Sequence, residues 1–455
     1  MNAGFAIRGD AFHTPMRGTL EVLTDCLIKV SAAGVIERVT SSDSLDHADQ
    51  LAAATQSGSL IELLPGHYLL PGLVDLHVHA PQWPQLGKAL DVPLEQWLQH
   101  YTFPLEARYA DLVFAREVYQ ELVDSLLAHG TTTAVYFATI HVEASIALAE
   151  ICLDRGQRAL IGKVAMDHPE QCPAYYRDAD AGEAVRDTRA VIERIAALQS
   201  DENPLVLSMI TPRFLPSCTD ALLDGLGALA RETGCRVQTH CSESDWAVAH
   251  GYARFGCSDA EVLDGFGLLT THAILAHCNF VSSGDRARIG RAGAAVAHCP
   301  LSNMYFAGSV LSVRTLLDEG LRVGLGTDIS GGHSASMLES ARFAVTASRA
   351  LDRGVDARRG ADERGVAGSA ISVAEAFWLA TAGGGEALGL PIGAFRPGFE
   401  FDAIAINALG EEPLVCAGLD APTDVFEKIV RRAGRADIAG VWVRGRQVRP
   451  ECEPF

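Results

Sequence analysis

The sequence predicts an α/β protein: a (β/α)8 TIM-type barrel with a small β-sandwich domain assembled from both termini. Through the middle of the 455 residues, eight short β-rich runs alternate with longer helical patterns, and both ends read as short strands and turns. Repeated βα units that close at eight strands form a barrel, and barrels with loop insertions reach this length as one domain. We therefore expect a composite β domain of residues 1–66 and 395–455 around a barrel of residues 67–394.

The β-rich runs follow one another in order along the middle of the chain. They are Tyr68–Ala80, Thr131–Ala138, Arg158–Ala165, Leu205–Pro212, Arg236–Glu243, Ala273–Phe280, Ala294–Asn303 and Arg322–Ser330. Segments with helical periodicity lie between them, including Ala107–His129, Gly182–Leu198, Thr219–Thr233 and Val310–Gly320. Each alternation is one unit of the expected barrel.

Composition and charge exclude several classes of protein. The 57 acidic residues outnumber the 37 basic ones, and the net charge of −20 would repel a phosphate backbone, so we expect no nucleic-acid partner. The eleven cysteines are an odd number without a CxxC pair, which does not favour a disulfide framework or a zinc ribbon. No run of about 18 apolar residues is long enough to cross a bilayer. A soluble protein in the reducing cytoplasm, with no membrane partner, is the expectation.

Ligand-type side chains stand at the carboxyl ends of four predicted strands, where the active sites of barrels lie. His77 and His79 are two positions apart on the first strand, so their imidazoles share a face. His240, His277 and Asp328 end the fifth, sixth and eighth strands. Imidazoles with one carboxylate favour Zn²⁺ or Fe²⁺ over Ca²⁺ or Mg²⁺, and the pattern alone leaves all five as candidate ligands.

Three cysteines each follow a strand-end histidine directly: Cys241, Cys278 and Cys299. Adjacent strand residues point to opposite faces, so cysteines behind mouth-facing histidines would pack beneath the helices. We expect them to act as small buried hydrophobes rather than as thiolate ligands.

The stretches PGLVDLHVHAPQ, THCSES, ILAHCN, AHCPLSN and GLGTDISGG resemble the amidohydrolase superfamily, specifically its mononuclear-metal deaminase branch. The resemblance runs in order from Pro65 to about Arg349, and the β-rich ends are similar to the composite domain of that superfamily. It implies one divalent metal ion, Zn²⁺ with Fe²⁺ as the alternative, held by four residues: His77, His79, His240 and Asp328. It also implies a homodimer.

The same resemblance implies catalytic roles. His277 would lie beside the attacking water as a catalytic residue, Asp328 would accept the proton of that water, and Glu243 would act as the proton shuttle. An acidic residue at the start of a helix is the alternative role for Glu243, and its position three residues after the proposed ligand His240 favours the catalytic one. Ser242 and Ser244 are expected to be turn and cap residues.

Three further details, HAPQW, TPRFLPSC and LGTDISGGHSASML, resemble the members of this branch that act on guanine. They imply attack at C2 of the base, with xanthine and ammonia as products, as in purine catabolism. The expected substrate contacts are Gln82, Trp83, Arg213, Phe214 and His240. Arg213 offers a fixed fork of donors to a carbonyl, and Gln82 can both donate and accept.

Other functions stay open. A related hydrolase could act on 8-oxoguanine, an adenine-type base or an s-triazine, and a non-enzymatic scaffold could keep the barrel. A cytidine-deaminase-type zinc site is disfavoured because His141 and Glu143 form only its first half, with no PCxxC after them. A binuclear site typical of hydantoinases needs a bridging lysine on the fourth strand, which has none; Lys163 on the third strand is interpreted as structural or as support for the site.

Overall fold

The computed structural model describes residues 4–200, 203–416 and 418–449. Its strands form two sheets, one parallel and one mixed. The strands are β1 (Phe5–Met16), β2 (Thr19–Val30), β3 (Ile36–Thr40), β4 (Leu60–Glu62), β5 (His67–Pro71), β6 (Leu73–His79), β7 (Thr131–Phe137), β8 (Arg158–Gly162), β9 (Val164–Ala165), β10 (Val206–Pro212), β11 (Arg236–Cys241), β12 (Ala273–His277), β13 (Ala295–His298), β14 (Arg322–Leu325), β15 (Ala403–Asn407), β16 (Ile438–Val443) and β17 (Arg446–Arg449).

The parallel sheet is the barrel, in the order β14-β13-β12-β11-β10-β8-β7-β6, with β9 paired to β10. Two backbone hydrogen bonds join its first and last strands just beyond the end of β14. The amide of Asp328 donates to the carbonyl of His77 at 2.9 Å, and the amide of His79 donates to the carbonyl of Ile329 at 2.8 Å. The predicted barrel fold is therefore confirmed, and its closure joins two of the predicted ligand-bearing segments.

Two predicted runs are each divided in the structure. The first run contains β5, which belongs to the other sheet, and β6, which opens the barrel; Gly72 separates them. A Cβ on Gly72 would come within 2.4 Å of the Thr132 side chain, so only glycine allows this close approach. The third run is interrupted at Lys163, between β8 and β9.

Helices connect the barrel strands, and the four predicted helical segments all contain helices. The α-helices are α1 (His47–Gln56), α2 (Leu94–Trp97), α3 (Phe103–Glu106), α4 (Leu112–Ala128), α5 (Val142–Arg155), α6 (Ala181–Ala197), α7 (Asp220–Thr233), α8 (Asp245–Phe255), α9 (Asp259–Gly265), α10 (Ser283–Ala292), α11 (Pro300–Ser302), α12 (Val313–Asp318), α13 (Met337–Arg353), α14 (Val373–Leu379), α15 (Ala382–Leu388) and α16 (Pro422–Arg432). Short 3-10 segments lie at Ala80–Gln85, Ala107–Ala110, Leu215–Ser217 and Arg435–Asp437, and π-helical turns at Leu98–Thr102 and Asn303–Ala307.

The second sheet is built from both ends of the chain, in the order β17-β16-β15-β5-β1-β2-β3, with β4 also paired to β1. Strand β1 pairs with β4 at residues 6–8 and with β5 at Asp10 and Ala11, and its register to β2 shifts between Gly9 and Ala11. The predicted separate β domain from both ends of the chain is therefore present, and its described strands form one continuous sheet where a sandwich was expected. The boundaries at residues 66/67 and 394/395 stay predictions.

Alternate residues from six barrel strands fill the interior of the barrel with apolar side chains. They are Val74, Leu76, Val135, Leu160, Met209, Ile274, Ala295 and Ala297. Ala387 and Leu388 of α15 join this cluster near the amino end of β6, where Gly384 packs against Val74. The packed interior leaves the carboxyl ends of the strands as the place for polar groups.

A buried ion-pair network ties the start of β8 to the second sheet. The guanidinium of Arg158 donates to both Asp402 and Glu400, and Glu400 also accepts from Arg444 at 2.8 Å. Arg158 and Asp402 are 2% and 3% exposed, so water cannot compensate either charge.

Arg158→Ala is expected to lower the free energy of unfolding by about 3–5 kcal/mol, because it leaves the buried carboxylate of Asp402 without a guanidinium partner and Glu400 with Arg444 alone. Urea unfolding measures the change. Arg155→Ala is the matched control, since Arg155 pairs with Asp124 at the surface and such pairs contribute about 1 kcal/mol or less. Equal effects from the two variants would contradict a stabilising role for the buried network.

Among the helices of the described ranges, none combines the length and the apolar character needed to cross a bilayer.

Candidate active site

Four imidazoles and one carboxylate meet at the carboxyl end of the barrel. The Nε2 atoms of His77 and His79 lie 3.2 and 3.4 Å from Oδ1 of Asp328. The Nε2 atoms of His79 and His240 are 3.0 Å apart. His277 completes the group, with its ring centroid 5.4 Å from that of His240. The structure thus brings together all five residues that the strand ends indicated.

The cluster can hold a metal ion. Candidate ligand atoms of His77, His240 and His277 lie within 4.8 Å of one another, and so do those of Glu243, His277 and Asp328. Burial lowers the pKa of His77, His79 and His240 well below the usual value, which keeps these imidazoles neutral with a free lone pair. The buried Nε2 of His77 has no hydrogen-bond partner. Neutral imidazoles that converge on a carboxylate are the donor set of a divalent transition metal, so the residues fit such an ion.

Backbone and side-chain partners orient the candidate ligands. Asp75 lies two residues before His77 and accepts hydrogen bonds from the His77 amide and from the backbone and hydroxyl of Thr327, which precedes Asp328. His240 Nδ1 lies 2.6 Å from the carbonyl oxygen of Arg213 and donates to it. That bond leaves the lone pair of His240 Nε2 for the metal, in the way that outer partners orient metal-bound histidines.

His277 has a polar partner of its own. Its Nδ1 lies 3.0 Å from Oδ1 of Asn303, at the start of a π-helical turn. An Nδ1–H donated to the amide oxygen leaves Nε2 facing the carboxylates of Glu243 at 3.6 Å and Asp328 at 3.8 Å. His277 is therefore held between these two groups.

Four non-glycine residues of the site have left-handed backbone angles. Their φ angles are 47° at Ser242, 72° at His277, 54° at Cys278 and 51° at Asp328. Such a conformation costs about 1–3 kcal/mol per residue and persists where the surrounding structure enforces it. Two of these residues, His277 and Asp328, belong to the cluster of candidate ligands at the mouth of the barrel.

Glu243 lies between β11 and α8, as the sequence indicates. Ser244 caps helix α8, because its hydroxyl accepts a hydrogen bond from the amide of Ala247 at 3.3 Å. The helix cap is therefore Ser244 and not Glu243. Glu243 is 7% exposed. Burial, and after it the negative charge of Asp328, raises the pKa of Glu243 to about 8. A carboxyl with this pKa holds a proton at neutral pH and can donate it.

A small pocket opens directly above the cluster. His79, His240, Glu243 and Asp328 form its floor, and Gln82 and Arg213 supply its other polar groups. The remaining lining is mostly apolar: Leu94, Trp97, Leu98, Phe214, Phe306 and Gly331. An apolar cleft with a few convergent polar groups is typical of a small-molecule site.

All but one of the predicted substrate contacts line this pocket. The pocket is lined by Gln82, Arg213, Phe214 and His240. Trp83 is not part of this lining and packs instead against a hydrophobic cluster beneath the helices, separate from the His/Asp cluster. The tryptophan that lines the pocket is Trp97, which packs against Phe306 with the ring centroids 5.1 Å apart and the planes tilted by 50°. Trp83 faces away because the chain turns into a 3-10 helix at Ala80–Gln85.

The three cysteines divide into two groups. Cys241 and Cys278 are buried in the core beneath the helices, as predicted. Cys299 differs, because its sulfur lies within 4.8 Å of ligand atoms of His77 and Asp328. Along β13 the interior positions are Ala295 and Ala297, and continuing the alternation places Cys299 inside. On this strand it is the histidine, His298, that points away from the mouth.

The site contains three residues that were not predicted from the sequence: Asp75, Asn303 and Glu106. Asp75 stands in the quoted stretch PGLVDLHVH, two positions before His77, so strand periodicity could have found it. Asn303 ends AHCPLSN, but no spacing rule links it to His277. Glu106 lies in an apolar stretch, Phe103–Glu106, and is fully buried against Gln82 and Arg213. No local signal distinguishes it.

A parallel barrel that gathers imidazoles and a carboxylate at its carboxyl end, below an apolar pocket, is the architecture of a metal-dependent hydrolase. Residues 68–448 match the sequence profile of the amidohydrolase family. The chain belongs to that family.

Curated relatives and solved structures carry a more specific name. The guanine deaminase of Dictyostelium discoideum is 35% identical over 459 residues, with 97% of both chains covered. That of Homo sapiens is 36% identical over 456 residues, which cover 97% of this chain and 96% of the human one. The structure of guanine deaminase from C. acetobutylicum with bound guanine in the active site superposes with a TM-score of 0.85. It is 30% identical and covers 98% of this chain and 99% of its own.

Proposed function

We propose that the protein is a hydrolase that removes the C2 amino group of guanine, releasing ammonia and xanthine. One observation supports this most directly: Arg213 and Gln82, a donor fork and an amide, line the same small pocket as Glu243 and the His/Asp cluster. A base held by its carbonyl edge at Arg213 would present its amino-bearing carbon to the cluster. The near full-length similarity to guanine deaminases supports the same substrate.

The residues that would hold the metal are His77, His79, His240 and Asp328, with Zn²⁺ proposed and Fe²⁺ as the alternative. A divalent ion there lowers the pKa of water and so supplies a nucleophile at neutral pH. Elemental analysis of the purified protein distinguishes the two metals.

The side chains around the cluster divide the proton transfers. Asp328 Oδ2 faces His277 and would accept one proton of the attacking water, while the lone pair of His277 Nε2 would accept a hydrogen bond from the water's other O–H and so orient it. Glu243, whose pKa is about 8, carries the proton that the ring nitrogen next to C2 takes up. Glu243, deprotonated by that transfer, would then take the proton of the new C2 hydroxyl group and pass it to the amine as the C2–N bond breaks, so that ammonia leaves as a neutral molecule and the hydroxyl becomes the C2 carbonyl. The proton held by Asp328 would return to Glu243 and restore the starting state.

Apolar rings would hold the base in plane. Phe214 and Trp97 both line the pocket, and base–aromatic stacking contributes about 1–3 kcal/mol per base. Arg213 would donate to the carbonyl at C6. A base without that oxygen would leave the buried donors unpaired, which a site of this kind rejects strongly.

A base-panel assay tests the substrate. Ammonia release would be measured with guanine, 8-oxoguanine, adenine, cytosine and an s-triazine, with the metal-loaded protein. We expect guanine to have the highest kcat/KM. The second candidate function is hydrolysis of another aminated heterocycle. Such an enzyme would use the same His/Asp cluster with a different pattern of hydrogen-bond donors to the substrate. Absence of ammonia from guanine would defeat the proposal.

Arg213→Lys is expected to raise KM for guanine by about 10–100-fold with unchanged metal content, because lysine keeps the charge but loses the planar fork. Arg254→Lys is the matched control: Arg254 donates to backbone carbonyls of Leu215 and Cys218 in the same loop region, away from the pocket. Steady-state kinetics measures both variants. A KM unchanged by Arg213→Lys would remove the fork from substrate recognition.

We also propose a homodimer in the reducing cytoplasm. The ten cysteines within the described residues are free thiols, which a reducing compartment maintains. Light scattering coupled to gel filtration measures the mass in solution, and a monomer at micromolar concentration would contradict the dimer.

A further inference from the structure

One buried carboxylate joins the two polar side chains that line the substrate pocket. Glu106, at the end of α3, is fully buried and does not itself line the pocket. Its Oε1 accepts from Gln82 Nε2 at 2.8 Å and from Arg213 Nη2 at 3.1 Å, and its Oε2 accepts from Arg213 Nη1 at 2.6 Å. The pocket residues come from different barrel loops, after β6 and after β10, and meet on this single group.

These contacts fix how each side chain presents its remaining donors. Gln82 is held at both ends of its amide, because its Oε1 also accepts from the amide of Ser330 at 3.1 Å. The amide therefore has one orientation. The guanidinium of Arg213 pairs in a bidentate way with Glu106 and lies over the ring of Phe103, 5.1 Å from its centroid. Two contacts on one plane and a ring on its face set the plane of the fork.

The pairing also sets the charge of the pocket wall. Arg213 is 2% exposed, and an unpaired guanidinium there would attract anions rather than neutral ligands. With Glu106 beside it, the pair carries no net charge. The N–H groups that remain free then act as plain hydrogen-bond donors toward a neutral carbonyl.

We infer that Glu106 is a positioning residue for substrate choice: it aims Arg213 and Gln82 at the carbonyl edge of a neutral purine base. The inference rests on the proposed function and deepens it. Glu106 acts through its two partners and touches neither the base nor the reacting atoms. It should therefore affect recognition of the carbonyl, and leave metal binding and the chemical step nearly unchanged.

A purely structural role would give a different result, and the chain offers a matched control for it. Asp402 accepts two hydrogen bonds from Arg158, and this buried pair lies at the opposite end of the barrel strands from the pocket. Asp402→Asn and Glu106→Gln make the same chemical change to a buried arginine–carboxylate pair. Only the second change lies behind the pocket.

The experiment uses the metal-loaded enzyme and measures kcat and KM for guanine, with inhibition constants for hypoxanthine and unsubstituted purine. Hypoxanthine carries the carbonyl and purine lacks it. For Glu106→Gln we expect KM and the hypoxanthine constant to rise about 10–100-fold, with kcat within about threefold and the purine constant unchanged. Asp402→Asn should leave the ratio of the two inhibition constants at its wild-type value.

Glu106→Asp keeps the negative charge and shortens the side chain, so it should give an intermediate KM and remains informative if Glu106→Gln does not fold. Equal weakening of hypoxanthine and purine, or no change in either, overturns the inference. If the wild-type enzyme releases ammonia from guanine but the Glu106 variants bind hypoxanthine and purine normally, this inference alone is wrong. A wild-type enzyme inactive on guanine defeats the proposed function and this inference with it.

Discussion

Glu243→Gln is expected to lower kcat for guanine by about 10²–10⁴-fold while the bound metal stays unchanged. The amide has nearly the shape of the carboxyl but cannot release a proton to the ring nitrogen. Glu243 is close to His277, at 3.6 Å, yet the four proposed ligands do not include it. Ammonia release under saturating guanine measures the rate, and elemental analysis measures the metal.

Glu375→Gln is the matched control for that variant. Glu375 is likewise buried, at 6% exposure, but it caps α14 and pairs with Arg314 far from the pocket. We expect this variant to keep its kcat. Activity retained by Glu243→Gln would remove Glu243 as the proton shuttle, and a loss of metal in it would assign the residue to the metal site instead.

Asp328→Ala is expected to abolish both tight metal binding and turnover. Asp328 is the one carboxylate among the proposed ligands and lies within 3.4 Å of two imidazoles, so its loss leaves neutral donors alone. Changes to outer partners of a metal ligand already cost about 10–100-fold in affinity, and removal of a ligand should cost at least that. The loss of the proton acceptor adds about 10²–10⁴-fold in kcat. Metal titration and ammonia release measure the two effects separately.

Asp285→Ala controls for the removal of a buried aspartate. Asp285 is 5% exposed and completes the capping box of α10, so its loss should cost about 0.5–2 kcal/mol of stability with metal and rate intact. A fully metallated and active Asp328→Ala enzyme would overturn the assignment of Asp328 both as ligand and as proton acceptor.

The barrel could be predicted because its signal is local. Each β-rich run and each helical segment carries its own periodicity, and parallel strands place their carboxyl ends on one side. That geometry brings His77, His240, His277 and Asp328 together even though about 250 positions separate the first from the last. The two-residue spacing of His77 and His79 required only strand alternation.

The errors arose where strand alternation stops. The prediction for Cys299 assumed that every strand-end histidine faces the mouth. On β13 the interior positions are Ala295, Ala297 and Cys299, so His298 points away from the mouth. Left-handed angles at His277 and Asp328 redirect side chains in a way that period-two counting does not capture. Trp83, expected as a substrate contact, is not among the pocket-lining residues for a related reason: a 3-10 helix follows His79 at once.

Residue type and spacing were sufficient for the fold, the family and the candidate ligands, because hydrophobic periodicity and strand ends are properties of short segments. The pairing of Glu106 with Gln82 and Arg213, of Asn303 with His277, and the choice of Trp97 over Trp83 depended on tertiary structure. Glu106 and Arg213 are 107 positions apart. Contacts between loops of separate barrel units follow from how those loops pack over the mouth, and that packing leaves no periodic trace in the chain.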